Sequence, residues 1–244
     1  MTTEAALAAT ATLVALAFAG GTLERWLERR GSHDLAWTIA LAMFAIASGA
    51  LWLGMAKGWD PATFRVFYLF GAIVNVPWLA LGTVCLLGRP RIARRVAAIT
   101  AALSFFAAGV VAVAPLKASV PHDGLPKGSD LFGVLPRVLA AVGSGVAALV
   151  VIAGAVWSAI RAARHQGDRA TGPRLAVGNG LIAVGTLVLG ASGTLAGRVG
   201  EARAFAITLV AGIVALYAGF VVATSRGVAS AELAAQQFAA EPVR

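Results

Sequence analysis

The chain has 244 residues, 59% hydrophobic and only 13% charged, with a mean hydropathy of +0.83. Soluble domains carry about 25% charged residues, so composition excludes a soluble globular protein and predicts an all-α polytopic membrane protein. The net charge of +9 would suggest nucleic acid in a soluble chain. Here the arginines fall between apolar runs, where they orient spans, and no nucleic-acid partner is expected.

A bilayer core takes about 20 apolar residues per helix. Seven runs meet that length, near 5–22, 35–56, 62–87, 93–115, 131–160, 175–197 and 203–224. The first opens on MTTE, which has no positive charge, and is followed by LERWLERR. That is the reverse of a secretory signal, so it reads as a retained span. His33-Asp34 opens the second run, with Asp34 expected as its N-cap.

The third run starts at Trp59-Asp60-Pro61 and holds Asn75 and Pro77 at its middle. At about 100° per residue, Tyr68, Ala72, Asn75, Leu79 and Gly82 share one face, with Arg65 at its edge. A side-chain amide left unpaired in hydrocarbon is costly, so Asn75 requires a partner or a cavity. Pro77 lacks an N–H and is expected to free the carbonyl of Ile73. An amide and a freed carbonyl at one depth are what broken helices use to build midplane solute sites. Tyr68 and Trp78 would line the path to it.

Pro115 to Asp130 is rich in Pro and Gly and reads as an ordered or lid-like loop. The fifth run carries Arg137 about two turns from its start, an ionisable group at a depth where function is the default reading. Ser144 follows on the same face. Arg65, Arg137, Asp60 and Tyr68 could then form a vestibule suited to an anionic ligand or lipid phosphate. The sixth run holds Asn179, Thr186 and Gly193, a pattern that reads first as helix packing. The segment from Ser225 to Arg244 reads as a cytoplasmic tail.

Alternate connections are unequal in positive charge. One set holds thirteen of the 20 basic residues, including Arg25, Arg29, Arg30, Arg89, Arg91, Arg94 and Arg95; the other holds seven, including all three lysines. The richer set is expected in the cytoplasm, which puts the N-terminus outside and the C-terminus inside. Ala47-Ser48-Gly49-Ala50-Leu51 and Ala191-Ser192-Gly193-Thr194-Leu195 suggest two parallel three-helix repeats joined by a linking helix. That 3+1+3 plan is similar to the sugar facilitators of the SWEET type. Their Pro-Gln dipeptide is missing here, so no residue is carried over. A retinal protein would need a lysine in the last span, and 203–224 has none.

The chemistry excluded is broad. His33, His122 and His165 all lie between spans, so paired haem ligands are not available. No HExxH or metal-ligand spacing occurs, and the single Cys85 allows no internal disulfide. All 11 acidic residues fall at ends, loops or the tail, so no buried carboxylate is expected to relay protons. No base accompanies the serines of the spans. The sequence therefore predicts a non-catalytic protein without a cofactor, in a bacterial inner membrane. The leading expectation is a facilitator or uncoupled transporter of a small polar or amphipathic solute, with Asn75, Pro77, Tyr68, Trp78, Arg65, Arg137 and Ser144 as ligand-binding residues. The alternative is a lipid-binding or accessory membrane protein whose polar groups hold helices together. Expected partners are membrane lipids, a small-molecule or lipid ligand, and a second copy or another membrane protein.

Overall fold

The computed structural model describes residues 2–164, 177–178, 180–190 and 202–224, and among these the regular elements are all helical. They are α1 (Thr3–Arg29), α2 (Ser32–Lys57), α3 (Pro61–Leu87), α4 (Pro90–Val113), the short α5 (Gly128–Leu131), α6 (Val134–Arg164), α7 (Gly180–Gly190) and α8 (Ala202–Thr224). Six of them, α1, α2, α3, α4, α6 and α8, are long and apolar enough to cross a membrane. The predicted sixth span, 175–197, is described only in part, as α7 with residues 177–178 before it, while Asn179, Gly193 and the second copy of the repeat lie outside the described residues. The tail from Ser225 lies outside them as well.

Small residues set the first contact. Ala5, Ala8, Ala11 and Ala15 recur every three or four positions and are 0% exposed, a stripe that lets α2 approach the α1 backbone closely. Two hydroxyl bridges cross the same interface. Thr12 Oγ1 donates to Ser48 Oγ at 3.0 Å, and Thr38 Oγ1 donates to Thr22 Oγ1 at 2.9 Å. Neighbours then follow one another: α8 contacts α1, α2 lies between α1 and α3, and α3 contacts α4 and α6. The outward surfaces of α4 and α6 are apolar, with Phe105 81% exposed, as a lipid-facing surface should be.

The turn from α1 to α2 corrects two expectations. Arg30 takes the left-handed conformation, φ 51°, and Gly31 is the N-cap, without a side-chain cap bond. Asp34 sits one turn further in and is 1% exposed. It is therefore no cap but a buried carboxylate, paired with Arg25 Nε at 3.4 Å and His33 Nε2 at 3.4 Å. The sequence does not announce this burial, because the main partner of Asp34, Arg25, comes from the other helix of the turn. Phe220 lies under the Arg25 guanidinium, 4.9 Å from it, and Trp37 meets Phe220 edge-on at 6.1 Å.

At the opposite end of the bundle, Asp60 caps α3. Its Oδ1 accepts from the N–H groups of Ala62 at 2.8 Å and Thr63 at 3.1 Å, and Pro61 fills the first helical position. The connection between α4 and α6 is tied down at this end. The N–H of Trp59 donates to the His122 carbonyl at 3.1 Å, and that of Lys117 donates to the Leu131 carbonyl at 2.9 Å.

Candidate functional site

The middle of α3 departs from α-helical geometry. Leu69–Val74 form a π-helix between two α-helical stretches, Pro61–Tyr68 and Asn75–Leu87. In the π register each carbonyl looks for the N–H five residues on. For Ala72 that partner is Pro77, which has none. The carbonyl taken up elsewhere is accordingly that of Ala72 rather than Ile73, the one expected from an unbroken α-helix. Ser144 of α6 donates its Oγ–H to it at 2.5 Å. Gly143 faces the same turn: a Cβ placed there would lie 3.6 Å from the Ile73 carbonyl oxygen and 4.0 Å from Pro77 Cγ. A Gly-Ser pair on α6 thus covers the break in α3.

Asn75 begins the second α-helical stretch. It is 8% exposed, and its Oδ1 has no hydrogen-bond partner among the described residues. An amide oxygen in this state forfeits on the order of 1–3 kcal/mol. The helix break and the unpaired oxygen coincide, since Asn75 directly follows the π-helix.

The residues below Asn75 are occupied by helix contacts. Trp78 Nε1 donates to Ser104 Oγ of α4 at 3.1 Å, so its indole ties two helices together. Trp37 Nε1 donates to the Leu79 carbonyl at 3.2 Å. Its ring lies against Gly82, where an added Cβ would come within 2.1 Å of Trp37 Cδ1. Nothing in the local sequence around Trp37 announces these contacts, because the bond to Leu79 joins positions 42 residues apart.

Above Asn75, the predicted vestibule resolves into separate roles. Arg65 donates from both terminal nitrogens to carbonyls at the end of α4, from Nη1 to Val111 and from Nη2 to Ala114, the latter at 2.8 Å. A guanidinium is well suited to satisfy the last carbonyls of a helix and its negative dipole end. It also stands 5.8 Å from the Phe132 ring. Tyr68 stacks in the same aromatic group, 4.9 Å from Phe132 and 5.9 Å from Phe64. Arg137 is exposed, and its charge is within electrostatic reach of the Tyr68 hydroxyl. The structure therefore brings Arg65, Tyr68 and Arg137 to one end of the bundle, with Arg65 spent on α4. Asp60 is exposed there, its carboxyl held below the usual range chiefly by the Thr63 hydroxyl, which donates to Oδ2 at 2.5 Å. Ser144, two turns along α6 from Arg137, and Pro77 both lie beside the π-helix, away from this group.

Among the described residues no three His, Cys, Asp or Glu side chains come together as a metal site. No protein-family model, curated protein or solved structure matches the chain.

Proposed function

We propose that the protein is a facilitator for a small polar or amphipathic solute, bound within the bundle at Asn75 and the adjoining π-helix. In this reading it is a non-catalytic, multi-pass protein of a bacterial inner membrane, with the N-terminus outside. The supporting observation is the buried, unpartnered Oδ1 of Asn75 beside the broken helix. A side-chain amide there can accept a hydrogen bond from a hydroxyl or amine that passes or rests at mid-membrane. Pro77 and the π-helix give α3 a point of bending, and Arg137 with Tyr68 would meet the solute at the outer end. Flux of candidate solutes into proteoliposomes tests the reading: Asn75→Leu should abolish a flux that Ser144→Ala only reduces. Unchanged flux in folded Asn75→Leu protein would remove Asn75 as the site.

A second reading is an accessory or scaffold membrane protein. The engagement of Arg65, Trp78 and Ser144 in bonds between helices favours it. Its test is co-purification: a membrane protein that stays bound through detergent extraction at constant stoichiometry, with no solute flux in liposomes, would establish it.

A further inference from the structure

Where α4 ends and α6 begins, the two helices part and leave an open groove of about 340 Å³. Its walls are Val113, Ala114 and Pro115 on one side and Val134, Leu135 and Pro136 on the other, and Lys117 stands at its rim. Apolar walls at a helix end are unusual, because the last carbonyls of a helix need donors. Here Arg65 takes the Val111 and Ala114 carbonyls from behind, so the groove side keeps a hydrocarbon lining. The opening faces outward from the bundle: Val113 is 82% and Val134 72% exposed. Lys117 is fixed in height by its own N–H, which bonds the Leu131 carbonyl across the groove.

We propose that this groove is a binding site for an anionic phospholipid of the adjacent leaflet. One acyl chain lies between the valine and proline walls, and the negatively charged headgroup rests on Lys117. The argument is one of complementarity. An apolar crevice open to the bilayer at the end of two spans suits a chain, and the lysine at its mouth suits an anionic headgroup. A peptide segment would instead need polar partners along the walls for its backbone groups, and none lines this groove. The proposal does not depend on Asn75 and stands or falls separately from solute passage.

Gly133 supplies a clean test. Its backbone is not in the left-handed region, and no atom lies within 4 Å of where its Cβ would be. Gly133→Leu should therefore fill the groove without disturbing the fold. Native mass spectrometry of the detergent-solubilised protein, with phosphatidylglycerol or phosphatidylcholine added at equal concentration, reads the outcome. The intact protein should retain phosphatidylglycerol about tenfold better. Lys117→Gln should bring the two lipids close to equal retention, and Gly133→Leu should lose both. Lys57→Gln, a lysine at the same end of the bundle but outside the groove, should change nothing. Equal retention of both lipids by the intact protein, undiminished retention in Gly133→Leu, or a loss in Lys57→Gln as large as in Lys117→Gln would each overturn the site.

Discussion

Asn75 and Asp34 are two buried polar residues with opposite physical standing. Asn75 is neutral and carries one unpaired oxygen, so replacing it by leucine removes a desolvation cost and adds apolar volume. Asn75→Leu is expected to leave thermal stability in detergent unchanged or raise it by about 1 kcal/mol; a large loss would mean that the amide holds the helices together. Asp34 is a carboxyl group, and its value lies in its pairing with Arg25. Neither carboxylate oxygen has a hydrogen bond among the described residues, and the ion pair at 3.4 Å is its main compensation. Removing one partner of a buried pair strands the other charge. The Arg25 side chain is 24% exposed, which softens the penalty to about 2 kcal/mol for Asp34→Asn. The double change Arg25→Leu with Asp34→Leu should recover most of it in the same melting measurement.

At the scale of elements, α3 organises the bundle. Its break is accommodated by α6 through Gly143 and Ser144, and its lower half is keyed to α2 through Trp37 and Gly82. A methyl group at position 82 would meet the indole ring itself, so Gly82→Ala should destabilise the bundle by about 1–3 kcal/mol. Combining it with Trp37→Leu, which vacates the space, should return part of that loss in the melting temperature. The start of α3 has its own pH signature. The Asp60 carboxyl is held below its ordinary range by the Thr63 hydroxyl and backbone, so its cap contribution is present above the unfolded value of 3.8 and fades as pH falls below it. Asp60→Ala should cost about 1 kcal/mol near neutral pH, and the gap to the unmodified protein should close in strong acid.

For the molecule as a whole, the α1–α2 turn and the His122 loop mark opposite ends of the bundle, so they must face opposite sides of the membrane. With Cys85 replaced by serine, a cysteine at Asp123 should react with an impermeant thiol reagent added outside intact cells. A cysteine at Arg29 should react only after the membrane is opened. The reverse pattern would invert the orientation that the arginine distribution predicts.

Much of this architecture was legible in the chain. Of the seven runs read as spans, six coincide with helices long and apolar enough to cross a membrane and the seventh, 175–197, is described only in part; the bilayer imposes a length and an apolar composition that a sequence cannot hide. Asn75 and Pro77 stood out for the same reason: a polar group or a missing N–H matters most where water is absent. What tertiary structure decided is what each such group meets. That the π register moves the freed carbonyl from Ile73 to Ala72, that Ser144 finds it, that Arg65 turns to the end of α4, and that Phe220 lies under Arg25 all depend on contacts between residues far apart in sequence. Local periodicity assigns a side chain to a face of its helix. Only the arrangement of neighbouring helices determines whether that face meets a carbonyl, an aromatic ring or lipid.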